Sequence, residues 1–308
     1  MEYPWVSVSG YGAHIKSTRD TLIIRKKNTT EEFPLDSVKS LLIAGSHTVN
    51  SSTVNQLIKK GAVISFFETD GTPLGSVTPW NTERTGGLSE LQQSIPRQRF
   101  AIAVAQTSIK SRLFAIEQAE TQLQTRLYYE GELDLLHNSL EEMSFLIKME
   151  EIRRLHRLTS DMYYEIMSRS IPPALGFRRR TLRPQTDPIN AMLSFGYTLL
   201  YGSGNVAVIG SRLNPDHGFL HEGAGSLVSD LTEPLKAGMI DSTVFQIARE
   251  SLWPSDYEVT PQRCMLSDDL IQHLIHTFFT KINEKKIGDQ VMNLLNAIQE
   301  EEEFKVLY

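Results

Sequence analysis

The sequence predicts an α+β protein, with an N-terminal β-rich, sandwich-like domain carrying one helix and then a larger all-α domain. Three observations predict it. Short runs of β-branched and aromatic residues, separated by turn signals, fill residues 1–80. A polar stretch with Gly86-Gly87 and no periodicity follows. From Ile102 onward the apolar residues recur at the spacing of a helix. These features set a β domain over 1–80, a linker over 81–90 and a helical domain over 91–308.

The strand candidates are Trp5–Val8, Leu22–Arg25, Leu41–Ile43, Ala62–Phe67 and Leu74–Val77, with turns at Ser9–Gly12 and Asp70–Pro73. One helix interrupts them: Asn50, Ser51 and Ser52 offer an N-cap, Val54, Leu57 and Ile58 form its apolar stripe, and Gly61 ends it. In the helical half, Ile102, Ala105, Ile109, Leu113 and Ile116 make one stripe, broken at Glu130-Gly131. A second helix is expected from about Leu133 through Tyr164, with Leu136, Leu140, Met143, Ile147 and Leu155 near one face. Pro172-Pro173 and Gly176 force a loop holding Arg178, Arg179 and Arg180. Asp187 can cap the next helix, because Pro188 suits a first turn. Ser226 is a plausible cap for a helix carrying Asp230 and Glu233, and Val244 to Ile298 is helical in pattern.

Composition excludes several classes. Apolar residues make up 40% of 308, enough for real cores rather than disorder. The single cysteine, Cys264, excludes disulfides and thiolate zinc sites. The N-terminus lacks a signal-peptide layout, and no apolar run approaches the roughly 20 residues of a membrane span. A cytoplasmic protein is expected. The formal charge of −6 disfavours a nucleic-acid partner only if charge is evenly spread. It is not: Arg153, Arg154, Arg157, Arg169, the Arg178–Arg180 cluster and Arg183 crowd one segment, and acid collects at Glu300–Glu303. Screening limits charge effects to about 10 Å, so a local basic surface can still bind phosphate.

The densest set of possible metal ligands is Asp216, His217, His221, Glu222, Asp230 and Glu233. Asp230 and Glu233 are three apart, so on a helix both carboxylates share a face, and His221 lies just before it. Imidazole with carboxylates suits Mg²⁺ or Mn²⁺ in phosphodiester chemistry, and the imidazole favours Mn²⁺. His217 and His221 resemble half of a zinc-protease motif, but Gly218-Phe219-Leu220 between them supplies no glutamate base. His273 and His276 read as packing or surface histidines. Tyr201 could stack on a frayed base but reads more readily as core or rim packing.

Two longer segments carry a resemblance. Asp187-Pro-Ile-Asn-Ala-Met-Leu-Ser-Phe-Gly-Tyr-Thr-Leu-Leu-Tyr201, and Asn214-Pro-Asp-His-Gly-Phe-Leu-His221 followed by Ser226-Leu-Val-Ser-Asp-Leu-Thr-Glu-Pro234, resemble signatures of the CRISPR-associated integrases, the endonucleases that insert spacers into CRISPR arrays. Tyr11-Gly12-Ala13, Pro34–Val38, Gly61–Phe67 and Asp70-Gly71 come in the same family order. The resemblance implies a dimerising β domain, a helical catalytic domain and a homodimer that works with DNA and a small CRISPR-associated adaptation partner. It implies a metal site of glutamate, histidine and a second carboxylate, with His221 and Glu233 at the second and third positions and Asp230 at a neighbouring acidic one. Arg178, Arg179, Arg180 and Arg183 would line the DNA path.

The first ligand departs from the family pattern. Aligning the family tyrosine with Tyr163 places His156 where a glutamate is expected. Three readings stay open: His156 binds metal itself, Glu150, Glu151 or Glu165 supplies the carboxylate, or the site has lost a ligand. The expected function is a Mg²⁺- or Mn²⁺-dependent integrase and endonuclease of CRISPR adaptation, joining a free 3′-hydroxyl to target DNA by transesterification. The alternatives are a catalytically weakened dimer that holds DNA or a partner, and a stand-alone or transposon-associated relative.

Overall fold

A computed structural model describes residues 3–27, 29–79, 86–182 and 184–308. Six strands form the N-terminal half: β1 Trp5–Ser17, β2 Thr21–Lys26, β3 Thr29–Pro34, β4 Ser40–Val49, β5 Val63–Phe67 and β6 Pro73–Val77. They make one mixed sheet in the order β3-β2-β1-β4-β5-β6, in which β4 pairs in parallel with both β1 and β5. Helix α1, Ser51–Lys59, connects β4 to β5, the crossover that parallel neighbours require. The N-terminal half is a single sheet, with helix α1 on one face and the helical half on the other. Leu41 and Ile43 of β4 face Leu57 of α1, while the alternate residues Leu42 and Ala44 join the core of the helical half. Burial on both faces explains why the start of β4 is continuously apolar.

The strand β1 is longer than its apolar start suggests. Its register against β4 shifts between Tyr11 and His14, where Gly10 and Gly12 take positive φ. Gly45 of β4 also has positive φ, and a Cβ there would run into the Gly10 carbonyl. Strand β3, exposed along most of its length, has no alternation to betray it.

The helical half contains α2 Gly86–Ser94, α3 Arg97–Leu123, α4 Glu132–Glu142, α5 Met149–Ser168, α6 Pro188–Gly210, α7 Ser226–Thr232, α8 Ser242–Glu250, α9 Asp268–Lys281 and α10 Glu284–Gln299. Four expectations need correction. Residues 86–90 of the expected linker belong to α2, because buried Gln92 ties that helix to Asn214 and to the His217 carbonyl; 81–85 lie outside the described residues. The helix expected from Leu133 through Tyr164 is two helices. Leu146 is extended, its carbonyl accepts from Gln98 Nε2, and Ile147 is left exposed instead of joining the stripe. Ser226 does not cap α7; its hydroxyl accepts from the Gly218 N–H and donates to the Asp216 carbonyl, and Gly225 in the left-handed region precedes the helix. The stretch from Val244 to Ile298 is interrupted by a hairpin of β7 Tyr257–Val259 and β8 Cys264–Leu266. Asp187 caps α6 as expected, accepting from the Asn190 N–H at 2.8 Å.

The two halves meet where the Asp70-Gly71 turn touches Gly202 of α6, so closely that a Cβ on Gly202 would collide with the Asp70 carbonyl. Leu42 and Trp5 close over Gly210 at the C-terminal end of α6. The sheet thus clamps the C-terminal half of one helix, and that helix presents Tyr197 to the site described next. Among the described residues no helix is long and apolar enough to cross a membrane.

Candidate active site

Four segments converge on one carboxylate, Glu233, in the turn that follows α7. Long α3 brings Arg112, α5 brings His156, the loop before α7 brings His221, and Lys236 lies one turn beyond Glu233. Arg112 Nη2 stands 2.6 Å from Glu233 Oε1 and Lys236 Nζ 2.5 Å from Oε2. His156 Nε2 is 3.6 Å from Oε1, and His221 Nε2 is 4.0 Å from Oε2. The two imidazole rings lie edge to face, 6.1 Å apart. Burial alone would raise the Glu233 pKa, but Lys236 and Arg112, with smaller help from the histidines, hold it well below the usual carboxylate range.

Asp230 is fully buried and turned away from Glu233 towards the 219–221 loop. It accepts the backbone N–H groups of Phe219, Leu220 and His221, the latter two at 3.1 and 2.9 Å. Its Oδ1 also lies 2.7 Å from His221 Nδ1. A carboxylate in that position accepts, so Nδ1 carries the proton and Nε2 faces Glu233 as a lone pair when the ring is neutral. The His221 pKa is pulled down by burial but raised overall, chiefly by the Asp230 hydrogen bond and the Glu233 charge.

His156 is held neutral: burial, and secondarily the Arg112 charge, lower its pKa from 6.5 to about 3. Its Nε2 is buried and has no hydrogen-bond partner. Glu150, Glu151 and Glu165 are all exposed, so none replaces it at the site. A protonation refused by the fold becomes a pH dependence. Between pH 6.5 and 3 the unfolded chain takes up a proton that the folded His156 does not, so stability falls as pH falls, by up to about 1.4 kcal/mol per unit. In metal-free protein, His156→Gln should remove about 2 kcal/mol of the loss between pH 6.5 and 5. Urea unfolding of both proteins at the two pH values measures this. His221 shifts with the opposite sign but is common to both proteins and cancels. Equal acid sensitivity of the two would refute a buried neutral His156.

A cleft of ≈ 480 Å³ opens over these groups, lined among others by Arg153, Arg157, Arg180, Tyr164, Tyr197 and Lys236. Arg180 is fixed by Asn190 Oδ1 at 2.9 Å and Ser194 Oγ at 2.8 Å. Its guanidinium and the Lys236 ammonium both lie over the Tyr197 ring, at 5.3 and 4.9 Å from the centroid. Tyr197 donates to buried Asp241 at 2.5 Å, and the Tyr164 hydroxyl is 2.6 Å from that of Tyr197. Arg153 is held by the Leu220 carbonyl and pairs with Glu222 at 2.6 Å. The side chains of Arg178 and Arg179 are exposed outside this cleft lining, and Arg183 lies outside the described residues.

Sequence reasoning found His156, His221, Glu233 and Arg180, which the fold does bring together. It missed Arg112, Lys236 and the Tyr164–Tyr197–Asp241 chain, for which spacing gives no signal. Glu222 turns to arginines, and His217 bonds α2 only through its backbone carbonyl. His273 and His276 are exposed on α9, as expected. Tyr201 is partly buried with its hydroxyl against Gly225, a packing position.

The donors suit a divalent ion. Donors around an ion at about 2.1 Å stand roughly 3–4 Å apart, the spacing seen between Glu233 and each imidazole nitrogen. The buried Nε2 of His156, without a hydrogen-bond partner among the described residues, is a free donor for such an ion. Among the described residues no group of three His, Cys, Asp or Glu side chains is already drawn together as for an ion; Glu233 is held by cations.

The family model of the CRISPR-associated protein Cas1 matches residues 6–280. A Cas1 protein of Methanospirillum hungatei JF-1 is 38% identical over 301 residues, covering 97% of this chain and 99% of the relative. A casposase bound to its integration product shares the fold with a TM-score of 0.83 at 18% identity, over 98% of this chain and 97% of that one. A chain of a partial Cas6-RT-Cas1–Cas2 complex does so with a TM-score of 0.76 at 19% identity, over 99% of each chain.

Proposed function

The chain belongs to the CRISPR-associated Cas1 family, and from that membership we propose that it is a metal-dependent DNA endonuclease and integrase of CRISPR adaptation. The observation that supports this best is the convergence of one carboxylate and two imidazoles beneath a cleft lined with arginines. His221, Glu233 and His156 would hold a Mg²⁺ or Mn²⁺ ion, which when bound supplies Lewis-acid polarisation of a phosphoryl oxygen and activation of a hydroxyl. The reaction is a transesterification: the P–O bond to the incoming 3′-oxygen forms as the P–O bond to the leaving oxygen breaks.

This chain's own residues do the rest. Arg153, Arg157 and Arg180 hold backbone phosphates, contacts that position DNA without reading sequence. Exposed Arg178 and Arg179 extend that path. Lys236 and Arg180, braced over Tyr197, present fixed positive charge to the phosphoryl oxygens as they gain negative charge. Asp230 keeps the His221 Nε2 lone pair aimed inward. The N-terminal sheet would form a homodimer interface. A Cas2-type partner is proposed by analogy with the solved complex that carries that name.

The test is strand transfer. Pure protein, a short duplex with free 3′-ends and a supercoiled target should yield joined product with Mn²⁺ or Mg²⁺ and none with EDTA. Product that persists in EDTA would end the metal reading. A second reading, a dimer that binds DNA but joins poorly, is favoured by the two cations already neutralising Glu233. It predicts salt-sensitive DNA binding with no product under any metal.

A further inference from the structure

The balance of charge around Glu233 carries an inference that rests on the reading above. Among the described residues, Glu233 is the one carboxylate paired with both His156 and His221, Asp230 being paired with His221 alone. Asp230 engages both oxygens with backbone N–H groups and the His221 ring, and Glu222 pairs with Arg153 at 2.6 Å. Against the Glu233 charge stand two cations in direct contact, Arg112 at 2.6 Å and Lys236 at 2.5 Å. The two imidazoles are neutral donors. An incoming divalent ion therefore meets a carboxylate whose charge two contacting cations already offset, whereas affinity for hard divalent ions rises with the number of anionic oxygen ligands.

The missing anionic oxygen has one evident source, since the cleft is built for phosphate. We propose that a DNA phosphate is a required ligand of the ion, so that this protein binds its divalent metal weakly alone and tightly only together with DNA. Metal and DNA then enter as a coupled pair, and each strengthens the other by the same factor. Until both arrive, Arg112 and Lys236 hold the carboxylate in place, and the fold does not depend on the ion. The sign of the coupling is diagnostic. Mn²⁺ acting only as a counterion weakens protein–DNA binding, whereas an ion shared between protein and phosphate strengthens it.

The experiment titrates Mn²⁺, followed by the loss of its aqueous electron paramagnetic resonance signal, into protein, into DNA and into their complex. The duplex carries 3′-dideoxy ends so that nothing reacts. The expected result is one site in the complex at least about tenfold tighter than in protein alone, after subtraction of DNA, with a matching gain in DNA affinity on adding Mn²⁺. Glu233→Gln should abolish that site and so assign it to this cleft. His156→Glu should create a site in the protein without DNA and shrink the coupling. Melting curves of each variant establish that it is folded. Wild-type protein that binds one Mn²⁺ equally tightly with and without DNA overturns the proposal. So does a complex with no such site. Strand transfer assayed on the same samples separates the two failures: product with uncoupled or absent binding sinks the coupling alone, and no product with no bound ion sinks the metal-dependent reading as well.

Discussion

Glu233→Ala should abolish strand transfer, by at least about a thousandfold, and also lower stability by about 3–5 kcal/mol. The two losses have different causes. The first follows from removing the carboxylate paired with both His156 and His221, and with it several kcal/mol of charge stabilisation in the transition state. The second follows from Arg112, whose side chain is 5% exposed and ion-paired to Glu233 at 2.6 Å. Without that partner a buried guanidinium loses its direct ion pair, and breaking one side of a buried pair costs far more than the pair contributes as a whole. A second substitution separates them. Adding Arg112→Met to Glu233→Ala removes the orphaned cation, so urea unfolding should recover part of the stability while product stays absent. A Glu233→Ala protein with the wild-type unfolding midpoint would refute the ion pair, and one with wild-type product would refute the site.

The sequence made the frame of this molecule legible and left its electrostatics hidden. Runs of β-branched and aromatic residues exposed β2 and β5, and the Asp187-Pro188 start of α6 was readable because a cap and a fixed φ are local chemistry. Strand β3 was missed because as an exposed edge it needs no apolar face. The break between α4 and α5 was missed because the apolar stripe runs on through residues that the fold exposes, Phe145 and Ile147. At the site, His221 and Glu233 stood out through segment resemblance, and His156 through its departure from the family pattern. Arg112 could not stand out: it is one arginine inside a 27-residue helix, 121 positions from its partner. Asp230 was found, but its task was not. Spacing of three on a helix suggests two carboxylates sharing an ion; the structure turns one inward, where three backbone N–H groups in the 219–221 loop need an acceptor.

That inward turn makes Asp230→Asn the second large effect. The carboxylate accepts three N–H groups and the His221 ring, and hydrogen bonds to a charged acceptor contribute about 1.5–3 kcal/mol each. An amide at the same place has one accepting oxygen, and its NH₂ faces donors it cannot satisfy. Stability should fall by about 3 kcal/mol, read from urea unfolding. Strand transfer should fall by about 10–100-fold, because the His221 ring loses the partner that fixes its tautomer and aim. Asp230 acts through His221 in this account, so the effects cannot add. In a His221→Ala background, Asp230→Asn should still cost stability through the 219–221 loop but should reduce product no further. A further drop in that background would mean that Asp230 touches metal or DNA itself, as the spacing first suggested. Wild-type stability in Asp230→Asn would mean that the loop does not depend on this carboxylate.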